Sequence, residues 1–299
     1  MMKVLVIVVT YNATKWIDKC FSSLKKSSVP LDCIIIDNNS TDGTVSEIKN
    51  KYPEYIIVET GKNLGFGKAN NVGLKYAMDN KYDYAYLLNQ DAWIFPNTLK
   101  SLIAVQQKYT EYGILSPFQM QANMKNLDRN FADGVCCFKS NEHLISDLYL
   151  RNLDVVYDVP GVMAAHWLIS RDCIKKVGGF SPSFKQYGED ENYSDRAKYH
   201  GFKIGIVPSA KAVHDREFRK KNLKHDMYMN CYVSILRILN APVKERLSRN
   251  FARWFFLSLY YTIFKLRLEP LRYSLKLLWS LPKIIKNRKI SITNESAFI

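Results

Sequence analysis

Asp91 closes an apolar run, residues 84–88, through the polar step Asn89-Gln90-Asp91. A lone carboxylate at the end of such a run suits a hard divalent cation, which takes oxygen ligands from one or two carboxylates and completes its shell with phosphates. The same acid equally suits a capping role in a loop ahead of a helix near Pro96. Glu189 and Asp190 open a helical pattern that runs to Tyr199. A carboxylate there can take the proton of an attacking hydroxyl, and acids are also favoured at a helix start by the dipole, whatever the chemistry. His214 follows the apolar stretch 204–213, and taken alone a histidine there is more often structural or solvated. His143, His166, His200 and His225 are taken as structural or solvated.

These side chains need elements to position them. Residues 4–9 form an apolar, β-rich run that ends at Thr10-Tyr11-Asn12, followed by a helical spacing of Trp16, Ile17, Cys20, Phe21 and Leu24. The pattern repeats: strand 33–36 stopped at Asp37, helix 44–51, strand 56–59, helix 68–78, strand 84–88. Four strands alternating with helices predict a parallel sheet whose loops gather at the strands' carboxyl ends. Asn12, Asp37 and Asp91 all fall at that edge. Beyond Gly113 the alternation weakens, with short strands expected at 114–117, 164–170 and 203–207 and an irregular, acceptor-side loop region at 121–154.

The ordered segments Val8-Val9-Thr10-Tyr11-Asn12, Ile36-Asp37-Asn38-Asn39-Ser40-Thr41-Asp42-Gly43-Thr44, Asn63-Leu64-Gly65-Phe66-Gly67-Lys68-Ala69-Asn70-Asn71, Leu88-Asn89-Gln90-Asp91, Gly178-Gly179-Phe180, Gly188-Glu189-Asp190-Glu191 and Val213-His214 cover about residues 4–214. Together they resemble the family 2 glycosyltransferases of GT-A fold, particularly the rhamnosyltransferase-like enzymes of bacterial surface polysaccharide synthesis. The resemblance implies an inverting transfer from a nucleotide-sugar donor to a saccharide or polyprenyl-diphosphate-linked saccharide. It puts Thr10, Tyr11, Asn12 and Asp37 on the nucleotide, and Asn63, Gly65 and Asn70 along the donor pocket. Gly65 and Gly67 also have the simpler reading of turn geometry. Asp91 is implied to hold a divalent cation, Mg2+ or Mn2+, with His214 beside it. Asp190 is implied to be the catalytic base, and Glu189 to support the geometry or touch the acceptor. Many relatives carry Asp-x-Asp where this chain has Asn89-Gln90-Asp91, so Asn89 brings a hydrogen bond for a ribose but no charge for the cation. Asparagine there resembles the rhamnosyltransferase branch and favours a dTDP-linked deoxysugar over a UDP-hexose. Arg216, Arg219, Lys220 and Lys221 are expected either to close over the diphosphate or to form a solvated basic linker.

The net charge of +15 is concentrated in residues 215–299, which hold 18 Lys/Arg against 6 Asp/Glu. Apolar runs at 254–264 and 275–285 lie between those basic residues, and both fall short of the roughly 20 residues a membrane span requires. Contiguous aromatics flanked by basic residues fit helices lying on an anionic membrane surface. They do not have the interleaved aromatics of an RNA-binding sheet, so no nucleic-acid partner is expected. The six cysteines have no C-x-x-C spacing, which argues against zinc and a disulfide framework. The apolar run before Thr10 is too short for a signal peptide, so a cytoplasmic protein, peripheral on the inner face of the cell membrane, is expected. A sugar-nucleotide pyrophosphorylase would need a glycine-rich basic loop after the first strand, and the first glycine is Gly43. A non-catalytic membrane-binding protein rests only on the basic tail. The expectation is an α/β GT-A domain over 1–214, with a donor-binding half to about 120 and an acceptor and catalytic half at 121–214. A basic, apolar helical extension, expected to associate with membrane, occupies 215–299.

Overall fold

The computed structural model describes residues 2–136, 141–216, 223–243, 247–264 and 266–299. The first half alternates as the periodicity requires: β1 (Val4–Thr10), α1 (Ile17–Lys25), β2 (Asp32–Asp37), α2 (Thr44–Lys51), β3 (Ile56–Glu59), α3 (Phe66–Asp79) and β4 (Tyr84–Asn89). A tight turn at Gln90-Asp91 leads to β5 (Ala92–Ile94), α4 (Thr98–Lys108) and β6 (Tyr112–Met120). Next come α5 (Arg129–Val135), α6 (Leu144–Leu150), β7 (Tyr157–Asp158), β8 (His166–Ser170), α7 (Arg171–Val177), α8 (Glu189–Tyr199) and β9 (Lys203–His214). Among the described residues a single mixed sheet runs β3-β2-β1-β4-β8-β6-β9-β5, with β7 on β9.

The strand directions decide what meets at the edge. β1 to β4 are mutually parallel, β8 runs against β4, β6 against β8, and β9 runs with β6. The carboxyl ends of β1, β2, β4 and β9 and the amino end of β8 therefore share one side. Thr10, Asp37, Asn89, His214 and His166 all arrive there.

Alternation along β1 divides the core. Leu5 and Ile7 pack with Leu74, Ala77, Trp167 and Phe180 on one face, while Val6 and Val8 pack with Phe21, Leu24, Leu99 and Leu102 on the other. Residues 121–154, expected to be irregular, instead contain the helices α5 and α6. Asp128 starts α5 by accepting a hydrogen bond from the Phe131 N–H on its side chain, 2.9 Å. Apolar periodicity over one or two turns is too short to be seen in sequence.

The C-terminal helices are α9 (Leu223–Tyr228), continuing through a π-helical turn at Met229–Val233 into α10 (Ser234–Asn240), then α11 (Leu247–Ile263) and α12 (Glu269–Thr293). Phe184, Tyr232, Val233, Trp254, Leu277 and Ile284 form a third cluster that joins them to the loop before α8. The chain then returns to the body of the sheet domain, where the Gly179 N–H donates to Ala297 O at 2.7 Å. Among the described residues no helix is long and apolar enough to cross a membrane.

Helix α3 lies so close to β1 that a Cβ on Gly73 would stand 2.5 Å from Ile7 Cγ2. Gly73→Ala is expected to destabilise the fold by about 1–3 kcal/mol through overpacking. Gly134→Ala, in α5 with open space around it, should be neutral or gain up to about 1 kcal/mol. Urea unfolding of both variants checks this, and equal effects would contradict the packing argument.

Candidate active site

The ends of β1 and β2 are tied through one buried acid. The Asp37 carboxylate accepts from Thr10 Oγ1 (2.9 Å), Ser40 N (2.9 Å) and Ser40 Oγ (2.6 Å), and both Thr10 and Asp37 are buried. Three donors meet the demand of a buried carboxylate. Asn12, in the left-handed region at φ 51, donates its N–H to Ser40 Oγ and accepts from Thr41 N, each at 2.9 Å. The two loops therefore move as one, and the Tyr11 side chain stands exposed at their rim.

A side chain joins that unit to the next strand. The Gln90 amide accepts from Tyr11 N (2.7 Å) and donates to Tyr11 O (3.2 Å), which imitates a strand's backbone pairing. On the other flank the Asn63 side chain accepts from Gly65 N at 2.9 Å, and Asn38 accepts from Leu64 N at 3.2 Å. Gly65 is at φ 79, and a Cβ there would lie 2.4 Å from Lys185 O, so the turn needs glycine. Asn70 is different: it is buried in α3 with its amide on Phe66 O, 3.0 Å, turned to its own helix.

Strand pairing brings Asp91 to His214. β5 pairs antiparallel with β9, with Ala92 opposite His214, and the Asp215 N–H donates to Asp91 O at 2.7 Å. Asp91 Oδ1 then lies 3.5 Å from His214 Nε2. Burial pushes the Asp91 carboxyl up, but the hydrogen bond and charge of His214, with Arg216, outweigh it and hold the acid below its ordinary value. The capping alternative fails for Asp91, because β5 separates it from α4 and Asn97 occupies that helix's N-cap. Asn89 lies opposite Val9 on β1, and its side-chain Oδ1 is buried with no hydrogen-bond partner. An acceptor left so costs about 1–3 kcal/mol.

Beneath these groups His166 is fully buried. Its Nε2 faces the Val213 carbonyl at 3.0 Å, so that nitrogen carries the proton and Nδ1 accepts from the Tyr86 hydroxyl at 2.8 Å. Burial, and then the charge of His214, drive its pKa down to about 3. His166 stays neutral and props the end of β9.

The acids of α8 lie near the start of β8. Gly188 caps the helix at φ 82, and a Cβ there would meet Val233 Cγ1 at 2.7 Å. Asp190 is half-buried, accepts from Glu191 N at 2.9 Å, and is also favoured in its charged form by the Ala164 N–H that leads into β8. Burial still raises its pKa. Glu189 is buried with Oε2 unpartnered. Burial and then the neighbouring Asp190 charge lift it to about 7. Arg237 pairs with Glu191 at 2.7 Å and Asp195 at 3.6 Å, which limits the accumulation of negative charge.

Among the described residues no group of three or more His, Cys, Asp or Glu side chains is arranged to hold a metal alone. What this edge offers is one carboxylate oxygen and one imidazole nitrogen. That pair fits a divalent cation whose remaining ligands are phosphate oxygens and water.

Gln90, Asp128, His166 and Arg237 were not singled out from the sequence as site residues. Asp128 lies behind His214, 3.8 Å from Nδ1, and 3.4 Å from Arg216 Nε. The spacing Asp128-x-x-Phe131 was its available signal, an N-cap pattern easily missed before so short a helix. Arg219, Lys220 and Lys221 lie outside the described residues.

Comparison with known proteins agrees with this architecture. The model of the family "Glycosyl transferase family 2" matches residues 5–178. An N-acetylglucosaminyl-diphospho-decaprenol L-rhamnosyltransferase of Mycobacterium tuberculosis is 24% identical over 231 residues, covering 71% of this chain and 75% of that protein. The O-antigen chain rhamnosyltransferase WbaN of Salmonella anatum is 27% identical over 225 residues, covering 71% of this chain and 66% of its own length. In structure, S. aureus TarS 1-349 in complex with UDP superposes with a TM-score of 0.57 at 18% identity, covering 98% of this chain and 81% of that one. The mannosyltransferase PcManGT from Pyrobaculum calidifontis, in complex with GDP-Man and Mn2+, gives 0.56 at 16% identity, covering 96% and 73%. The fold is that of the GT-A glycosyltransferases.

Glu189 yields a prediction whose sign follows from linkage. Between pH 4.5 and about 7 the folded protein keeps a proton that the unfolded chain has released, so stability falls as pH rises through that window. Glu189→Gln should remove this fall. The variant should match the wild type near pH 4.5 and exceed it above pH 7 by about 2–3 kcal/mol. Thermal unfolding across pH 4.5–8 reads it, and parallel profiles would disprove the assignment.

Proposed function

The chain belongs to glycosyl transferase family 2, and on that premise we propose that it is an inverting transferase carrying rhamnose from dTDP-rhamnose to a saccharide on a polyprenyl diphosphate, in cell-surface polysaccharide synthesis. The observation that carries this reading is the convergence of Asp190 with Asn89, Asp91 and His214 on one sheet edge. Residues 1–120 then serve the donor and 121–214 the acceptor and the proton transfer.

Each group has a task. The loop tied by Thr10, Asp37 and Ser40 presents Tyr11 and Asn12 to the nucleoside, with Asn63 and Gly65 on its flank. The unpartnered Asn89 Oδ1 accepts from the nucleoside sugar's 3′-hydroxyl, which dTDP and UDP both carry. Asp91 and His214 would hold a divalent cation, whose chemistry is to stabilise the negative charge of the departing diphosphate as a Lewis acid. Asp190 accepts the acceptor hydroxyl's proton while that oxygen bonds to the anomeric carbon from the face opposite the diphosphate. The C1–O bond breaks, its electron pair leaves with the nucleoside diphosphate, and the configuration inverts. Burial suits Asp190 to this, because a carboxylate with a raised pKa is a stronger base. Glu189 supports the geometry behind it.

The helices of 215–299 are read as a membrane-facing layer, peripheral on the inner face of the cell membrane. Phe255, Phe256 and Leu259 on α11 and Leu271, Leu275, Leu278 and Trp279 on α12 are exposed, Trp279 by 90%. Basic residues such as Lys276 and Lys283 on the same helix favour anionic lipid, and this would bring a lipid-linked acceptor to the edge.

Asp190→Asn should lower kcat by about 10²–10⁴-fold and leave the thermal stabilisation by dTDP with Mn2+ intact. Near-wild-type turnover would refute the base, and greater stabilisation by UDP or GDP would replace the donor. Leu275→Glu combined with Trp279→Glu should release the protein from phosphatidylglycerol-containing vesicles in sedimentation. Unchanged sedimentation would dismiss the membrane layer.

A further inference from the structure

His214 presents its two ring nitrogens to two carboxylates. Nε2 lies 3.5 Å from Asp91 Oδ1 and Nδ1 lies 3.8 Å from Asp128 Oδ2. The ring is buried, and among the described residues Nδ1 has no hydrogen-bond partner. Asp128 is buried as well, and its other oxygen is pinned by the Phe131 N–H at the start of α5. Arg216 Nε, at 3.4 Å, shares Oδ2. Asp128 is thus fixed by the fold, stands behind the imidazole, and is partly neutralised by an arginine.

We propose that Asp128 is the positioning residue for His214, holding the proton on Nδ1 so that the Nε2 lone pair is free to ligate a cation beside Asp91. This rests on the cation reading given above and supplies what Asn89 withholds, since the second carboxylate acts through the imidazole instead of on the metal directly. An imidazole ligates through an unprotonated nitrogen, so a cation at Nε2 requires the proton on Nδ1. A carboxylate on that side fixes the tautomer and ring orientation and raises the basicity of the ligating nitrogen. Among the described residues, of the acidic side chains paired with this ring only Asp128 faces Nδ1. A short move of one side chain closes 3.8 Å to a hydrogen bond. His166 fixes the other end of the arrangement by holding the Val213 carbonyl.

The test uses the full-length protein and Mn2+ titrated in excess dTDP and, separately, excess UDP, with free Mn2+ read from its EPR signal. Asp128→Asn keeps an N-cap acceptor for Phe131, so the fold should survive, while its amide no longer demands a proton on Nδ1. It is expected to weaken Mn2+ about 10–100-fold. In a His214→Ala background the same substitution should change the affinity by less than about twofold, because Asp128 would have no ring to act through. Asp128→Asn that binds Mn2+ like the wild type, or an equal loss in the His214→Ala background, overturns this proposal and leaves the cation reading standing. Wild-type protein that binds no Mn2+ with either nucleotide overturns both.

Discussion

The short antiparallel ladder between β5 and β9 governs the site. Ala92 is registered opposite His214 and the Asp91 carbonyl accepts from Asp215, so the acid and the imidazole cannot separate without breaking a strand pair. Both ends are anchored deep in the sheet: β4 leads into the turn that bears Asp91, and β9 is paired along β6 before it arrives. Rigid placement matters for such groups, because electrostatic stabilisation works through dipoles and charges that need no rearrangement during the reaction. His166, held neutral and hydrogen-bonded at both nitrogens, extends the same rigidity one layer down.

How much of this was legible in the sequence depended on period and length. β1, β2 and β4 are continuous apolar runs and are covered on both faces, as parallel strands between helices must be, so the first half of the sheet could be read almost residue for residue. β9 was underestimated: expected at 203–207, it continues to His214. Pro208 cannot donate to a ladder, and the pairing to β6 shifts between Pro117 and Phe118 as the chain passes it. That irregularity hides the fact that His214 ends a strand rather than following one. Residues 121–154 were illegible for another reason. Helices as short as α5 and α6 hold through capping and tertiary contact, not periodicity, and Asp128 is tied beside the site by its N–H, which donates to Gln119 O of β6 at 2.8 Å.

The C-terminal helices carry an imbalance between their two faces. Their inner faces are used, with Trp254, Leu277 and Ile284 packed against Phe184 and Tyr232, while large apolar side chains of α11 and α12 remain exposed. Isolated exposed apolar residues are ordinary, but a face carrying phenylalanine, leucine and a nearly fully exposed tryptophan together invites a partner. The inner packing also ties this layer to the loop that ends at Gly188, immediately before the acids of α8. A change of orientation in α12 would therefore be felt at Asp190 through side-chain packing.

At α8 the fold accepts a cost that explains its composition. Burial raises the pKa of all three consecutive acids, and the Asp190 charge adds to the rise at Glu189 and Glu191. The positive end of the helix offsets part of this, and Arg237 takes Glu191 and Asp195. No cation pairs directly with Asp190 among the described residues. A salt bridge there would stabilise the carboxylate and lower its basicity, defeating a role in proton abstraction. The arginine is instead paired with Glu191 and Asp195, where its charge moderates that of Asp190 from a distance. Glu189, with one oxygen unpartnered and a pKa near neutrality, marks where the remaining cost is stored. Unsatisfied acids in an otherwise well-paired interior are expected where stability has been exchanged for reactivity.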